Sequence, residues 1–96
     1  WGGDARMEIV RAATAGSLES SDAMVTVEPC EDGVAIEIAS VVLRQFGDAI
    51  ERAVREVLGE LHVERAQVRV NDRGAVECAL KARVESAVRR AAGGAS

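Results

Sequence analysis

Two runs in the first half of the chain alternate between apolar positions and polar or small ones. The first run covers residues 23–28 and the second covers residues 34–39. A period of two residues is typical of strands that bury one face. Pro29, Asp32 and Gly33 lie between the runs and favour a turn, so the pattern predicts a β-hairpin.

The hydrophobic period changes to three and four residues after Ser40. Apolar positions then recur at helical spacing from Val42 to Leu61, and charged residues fill the intervals. This predicts an amphipathic α-helix of about 20 residues and about 30 Å, with Ser40 as its candidate N-cap. Its apolar positions are Leu43, Phe46, Ile50, Ala53, Val54, Val57 and Leu61.

The last third of the chain predicts two more strands and a second helix. Residues 67–71 and 76–80 alternate, a tight turn at residues 71–74 joins them, and helical spacing returns from Val84 to Ala91. The simplest fold is a two-layer α+β domain in the order β-β-α-β-β-α, with a four-stranded, mainly antiparallel sheet and both helices on one face. The order of strands in the sheet stays open, and residues 8–14 fit a frayed helix or an extended arm.

The length of 96 residues predicts a single domain. Residues 1–6 are expected to be an extension or an expression remnant before Met7, the natural start. The domain itself is expected over residues 7–92. Residues 93–96 read as a flexible tail.

The acidic charge balance disfavours negatively charged partners. Twelve basic and sixteen acidic residues give a net charge of −4, which disfavours nucleic acid and anionic membranes as partners. We expect a cytoplasmic protein, because the chain has no apolar run long enough to cross a bilayer and no secretion signal. Cys30 and Cys78, without metal-ligand spacing, predict reduced and partly buried thiols.

The residues do not predict a catalyst. His62 is the single histidine and no nucleophile is placed beside it by spacing, so we expect it on the surface. No metal-binding constellation and no glycine-rich phosphate loop is present, so neither catalytic residues nor a metal site are predicted.

The segment of residues 15–22 is rich in serine and small residues. A serine hydroxyl on such a turn can accept a phosphodiester-linked prosthetic group, and the acids Glu19 and Asp22 flank the candidate Ser20. These acids can help a modifying enzyme to orient the segment, directly or through Mg²⁺. By composition alone, such a segment is more often a plain loop.

Four ordered blocks resemble the acyl carrier protein (gamma subunit) family of citrate lyase. They span nearly all of residues 7–92, so the match is far more specific than the serine segment alone. The blocks are residues 15–25 (AGSLESSDAMV), 45–50 (QFGDAI), 71–78 (NDRGAVEC) and 81–85 (KARVE).

The resemblance implies that Ser20 covalently carries 2′-(5″-triphosphoribosyl)-3′-dephospho-CoA, with Glu19, Ser21 and Asp22 as flanking recognition residues. Its thiol would hold the acetyl or citryl thioester while citrate is cleaved to acetate and oxaloacetate. The implied partners are the citrate lyase alpha and beta subunits, a prosthetic-group transferase and an acetyl-loading ligase. The family commonly has Gly where this chain has Ser21, and commonly Thr where it has Ser17.

Two alternatives remain at this point. The carrier of malonate decarboxylase uses the same kind of arm, although its attachment segment is richer in glycine and residues 45–50 fit citrate lyase better. An unmodified α+β interaction module, in which the serine segment is merely a turn, belongs to a different class.

Overall fold

The computed structural model describes residues 7–40 and 43–93, with the side chains of the first helix described from residue 47 onward. The predicted extension at residues 1–6 and most of the predicted tail therefore lie outside the described residues. The elements are β1 (Ala13–Gly16), β2 (Ala23–Glu28), β3 (Val34–Ser40), α1 (Leu43–Glu60), β4 (Ala66–Asp72) and α2 (Glu77–Ala91).

The four strands form one sheet in the order β1-β2-β4-β3. β1 pairs with β2, and β2 with β4, in antiparallel fashion, whereas β3 and β4 are parallel. The parallel pair is joined through α1, which is the crossover that parallel neighbours require. The predicted two-layer α+β fold with a mainly antiparallel sheet is confirmed.

The core lies between the sheet and the two helices. Alternate residues of β2 and β4 are buried, including Val25, Val27, Val68 and Val70. A helical stripe on each helix packs against them, as the three- and four-residue spacing predicts. The buried helical residues are Ile50, Ala53, Val54, Val57 and Leu58 of α1 and Leu80, Val84, Ala87, Val88 and Ala91 of α2.

The predicted hairpin between residues 23–28 and 34–39 is wrong, although both strands exist. β4 lies between them and pairs with each, with Val25 opposite Val70 and Ile38 beside Val70. Residues 29–33 therefore span two interstrand spacings, about 10 Å, rather than one. Five residues suffice for either distance, so the turn signal cannot tell the two topologies apart.

The fourth strand predicted at residues 76–80 is also wrong, and with it the order β-β-α-β-β-α. Residues 77–80 form the first turn of α2, and the additional strand is β1. This strand takes its first two residues from the segment 8–14, for which helix and extended arm were both open, and its last two from the serine-rich segment 15–22, where a turn was predicted. The alternation was short, and Leu80 also continues the helical stripe of Val84, Ala87 and Val88. Lys81, paired with Glu77 one turn back and with Glu56 of α1, supports this helix.

The predicted amphipathic helix is confirmed as α1, within the limit that residues 41–42 are not described. Ser40, the candidate N-cap, is the last residue of β3, and its hydroxyl donates to the Asp72 carboxylate over 2.9 Å. His62 is exposed in the turn that ends the helix, as expected. No helix in the described part of the chain is long and apolar enough to cross a membrane.

Candidate functional site

Ser20 lies in the connection between β1 and β2, at the tip of a tight reverse turn. The turn is closed by the Asp22 N–H, which donates to the Glu19 carbonyl over 3.1 Å. Ser20 and Ser21 are its two central residues, and Ser21 has φ of 66°. Type II turns have positive φ at this second central position, which is why they favour Gly there.

Ser21 and Asp22 form a bulge against the end of β4. The Ser21 N–H donates to the Arg73 carbonyl, and the Arg73 N–H donates to the Asp22 carbonyl, each over 2.9 Å. Ser21 and Asp22 therefore oppose the single residue Arg73, which is the pattern of a G1-type β-bulge with its first residue in the left-handed region. Regular pairing of β2 with β4 ends at this bulge. Ser20, one residue earlier in the chain, lies outside the sheet.

Gly16 fixes the other end of the connection. Its φ is 96°, and a Cβ at this position would lie 1.8 Å from the Ala23 carbonyl oxygen. No L-residue fits such an approach without moving the backbone. The close contact of Gly16 with Ala23 brings the two strands together at the base of the Ser20 turn.

Asp22 binds the turn to the second helix. One carboxylate oxygen accepts from Arg83 Nε (3.0 Å) and from the Ala23 N–H (2.7 Å). The other accepts from Arg83 Nη2 (3.0 Å) and from the Ser17 hydroxyl (2.6 Å). This carboxylate is thus held by a bidentate arginine, a hydroxyl and a backbone amide, and it is only 17% exposed.

These hydrogen bonds set the protonation of the pair. The hydrogen bonds from Arg83, then from Ser17 and the Ala23 amide, hold the pKa of Asp22 well below its usual range. The same contact with Asp22 raises the pKa of Arg83. Both groups are therefore charged at neutral pH, and the base of the turn is closed by an ion pair.

The Ser20 side chain is free by comparison. Ser20 is exposed, and its hydroxyl makes no hydrogen bond to any residue that the structure describes. The Glu19 and Ser21 side chains are also exposed and have no partner within the described ranges. Of the four residues predicted for this site, the structure places three at the exposed surface of the turn and the fourth, Asp22, in its base.

Three contributors to this site were missed by sequence reasoning. Each of the three has only a weak signal, since each lies in a block shared with the resembling family. The spacing of Arg83 on α2 by itself suggests only helix-end charge. The bulge itself has one readable sign, namely that the family commonly has Gly where Ser21 stands.

Within residues 7–40 and 43–93, no three side chains of His, Cys, Asp or Glu are grouped so that they could hold a metal ion. Asp72, near the turn, is buried and accepts from Ser40 and from the Ala75 N–H, so it stabilises the ends of β3 and β4. The arrangement offers an exposed hydroxyl on a fixed base.

Comparison with known proteins gives consistent matches over most of the chain. The family model described as "ACP: Malonate decarboxylase delta subunit (MdcD)" matches residues 10–91. The citrate lyase acyl carrier protein of Escherichia fergusonii is 56% identical over 87 residues, which cover 90% of each chain. The citrate lyase acyl carrier protein of Haemophilus influenzae (strain PittEE) is 53% identical over 85 residues, covering 88% of each.

The fold is similar to that of a solved structure. A chain from the crystal structure of a Pseudomonas malonate decarboxylase hetero-tetramer in complex with malonate superposes with a TM-score of 0.76. The match covers 90% of this chain and 89% of that chain, at 18% sequence identity.

Proposed function

Since this chain belongs to the acyl carrier protein family of citrate lyase, we propose that Ser20 is the residue that carries its prosthetic group. The observation that carries the proposal is the turn itself. It exposes the hydroxyls of Ser20 and Ser21 without a partner in the described residues, and it holds the backbone of Glu19, Ser21 and Asp22. The resemblance to the carrier family selects Ser20 of the two. A modifying enzyme needs such a hydroxyl, because a buried or bonded one would first have to be released.

The donor set around Ser20 fits a phosphodiester attachment. The Ser20 hydroxyl is exposed, and no carboxylate is held against it, because the Asp22 carboxylate is occupied by Arg83 and Ser17. We propose Asp22 as the residue that positions the turn. Glu19 and Ser21, whose side chains face solvent, are available to the transferase.

The arm we expect is the phosphoribosyl-dephospho-CoA that remains when 2′-(5″-triphosphoribosyl)-3′-dephospho-CoA reacts with Ser20 and releases pyrophosphate. Its thiol would supply a thioester for acetyl and citryl groups. The chain's own contribution is to hold this arm at a fixed point. A tethered thioester has a high effective concentration at each active site that it reaches. The catalytic groups for citrate cleavage would then belong to the alpha and beta subunits, with this chain as a non-catalytic, cytoplasmic carrier subunit.

The attachment is tested by intact mass. The chain is co-expressed with the prosthetic-group transferase and the pathway that makes its triphosphate precursor, as wild type, Ser20→Ala and Ser21→Ala. We expect the mass of the arm on wild type and on Ser21→Ala, and no gain on Ser20→Ala. Ser86→Ala, at a serine of α2 outside the β1–β2 connection, is the control and should also gain the mass.

Two results would contradict the proposal. Absence of any mass gain on wild type would favour an unmodified interaction module. A gain that persists in Ser20→Ala and disappears in Ser21→Ala would move the attachment by one residue. The apo chains need matched circular dichroism spectra, so that a failure to fold is not mistaken for a lost site.

A malonate decarboxylase carrier is the second candidate, because the matching family model and the solved structure both bear that name. Sequence identity favours a citrate lyase carrier, because it is 56% to the Escherichia fergusonii citrate lyase acyl carrier protein and 18% to the chain of the malonate decarboxylase structure. The loaded chain is added separately to carrier-free citrate lyase subunits and to carrier-free malonate decarboxylase subunits. We expect restored cleavage only with the first set.

A further inference from the structure

The backbone of one arginine, Arg73, lies directly against the Ser20 turn. The backbone of Arg73 is hydrogen-bonded to both Ser21 and Asp22, which places its Cα about 5.5 Å from theirs. Ser20 precedes Ser21 by one peptide unit, with about 3.8 Å between their Cα atoms. The Gly74 that follows is equally close, since a Cβ there would lie 4.0 Å from Ser21 Cα.

The backbone and the side chain of Arg73 have separate roles in the structure. The N–H and the carbonyl hold the bulge. The guanidinium is exposed and makes no hydrogen bond or ion pair with any residue of the described ranges. The fold thus depends on the main chain at this position and leaves the charged group unused.

The local charges make this cation distinctive. The other arginine at the turn, Arg83, is neutralised by its bidentate contact with Asp22. Three other arginines also lack described partners: Arg11, which precedes β1, Arg52 on α1, and Arg65, which precedes β4 at the end of that strand opposite Arg73. In the described part of the chain, Arg73 is therefore the arginine without a partner whose backbone contacts the Ser20 turn.

We propose that the Arg73 guanidinium binds the phosphate that becomes linked to Ser20. This inference rests on the proposed function of Ser20. In the transfer, the Ser20 Oγ forms a bond to the α-phosphorus of the triphosphate precursor and the bond from that phosphorus to the pyrophosphate leaving group breaks. The hydroxyl proton passes to a base of the transferase or to water.

Arginine suits this task for a geometric reason. Its planar group presents parallel N–H donors that match two oxygens of one phosphate, whereas lysine acts as a point charge. During transfer Arg73 would offset the negative charge of the α-phosphate as it approaches the acidic residues of the turn. After transfer it would hold the phosphodiester at the surface and limit the directions in which the arm leaves Ser20.

The first test measures the rate at which purified transferase attaches the arm to the chain, with intact mass as the readout. Arg73→Gln should slow loading about tenfold or more, the loss expected for one charge-assisted hydrogen bond in the reaction. Arg73→Lys should recover part of the rate, since the charge returns without the planar fork. Arg52→Gln and Arg65→Gln, which remove the same charge elsewhere, should load at the wild-type rate.

The second test separates phosphate binding from docking of the transferase. The Nε–H resonance of Arg73 in ¹⁵N-labelled wild type should shift when the arm is attached, and that of Arg52 should not. The unfolding midpoint of apo Arg73→Gln should equal that of wild type.

The outcomes separate the inference from the proposed function. An unloaded wild type refutes the proposed function itself. If Arg73→Gln loads at the wild-type rate, the proposed phosphate contact is wrong. It is also wrong if the variant loads slowly but the Arg73 Nε–H resonance of the wild type does not shift on loading. In both cases Ser20 remains the proposed carrier residue.

Discussion

At the residue scale, Ser21 has a backbone conformation that residues with a side chain disfavour. Its φ of 66° lies in the left-handed region that side chains other than Gly enter at a cost of about 1–2 kcal/mol. The turn and the bulge both require this conformation at the same residue. The Gly that the family commonly has here is therefore explained by backbone geometry and needs no direct role in attachment.

Replacing Ser21 with Gly should stabilise the protein. We expect Ser21→Gly to raise the free energy of unfolding by up to about 1 kcal/mol, since relief of the left-handed conformation is partly offset by the greater freedom of Gly in the unfolded chain. Urea unfolding followed by circular dichroism measures this change. Ser20→Gly is the matched control, because Ser20 has no positive φ, and it should not be stabilising. A destabilised Ser21→Gly would contradict the strain argument.

Asp22 and Arg83 predict a specific dependence of stability on pH. Because the fold lowers the pKa of Asp22 below its ordinary value of 3.8, the unfolded chain binds the proton first as the pH falls. The contribution of the pair is therefore complete above about pH 5 and declines as the pH falls below about 4 towards the folded pKa.

The variant Asp22→Asn isolates this contribution. At pH 7 it should unfold at a clearly lower urea concentration than wild type, and the gap should narrow steadily between about pH 4 and pH 3. Glu85→Gln is the control, because it removes an exposed i,i+4 pair with Arg89 and should change stability by no more than about 0.5 kcal/mol. An unchanged gap across this pH range would exclude a lowered pKa at Asp22.

At the element scale, the start of α2 decides which side chains are buried near the turn. A strand over residues 76–80 would place Val76, Cys78 and Leu80 on one face. In the helix only Leu80 is buried, at 3% exposure, whereas Val76 is 66% exposed and Cys78 is exposed. The expectation of a partly buried thiol is therefore wrong for Cys78 and correct for Cys30, which is half-buried.

These three positions should respond differently to substitution. Leu80→Ala is expected to cost about 2–5 kcal/mol, as for other buried leucines. Val76→Ser and Cys78→Ser should each change stability by about 0.5 kcal/mol or less, as surface substitutions do. Chemical unfolding of the three variants measures the contrast. Similar large losses at all three positions would support the strand instead.

At the scale of the whole molecule, the site is assembled from parts distant in sequence. The β1–β2 connection supplies Ser20, the end of β4 supplies Arg73, and α2 supplies Arg83, which lies 61 residues from the Asp22 that it binds. The central position of β4 makes this possible, because its carboxyl end meets the start of β2. A rigid base built from three elements suits a protein whose proposed task is to hold a long arm at one point.

The sequence by itself determined the elements whose signal is local. The bounds of β2 and β3 and the amphipathic stripe of α1 follow from side-chain period. Four blocks of residues identified the carrier family, and Ser20 as its attachment residue stays a proposal. The tertiary structure decided the strand partners, the early start of α2, the bulge at Ser21 and the pairing of Asp22 with Arg83. These depend on contacts between distant residues, which neither hydrophobic period nor turn propensity encodes, because both are properties of a short window of chain.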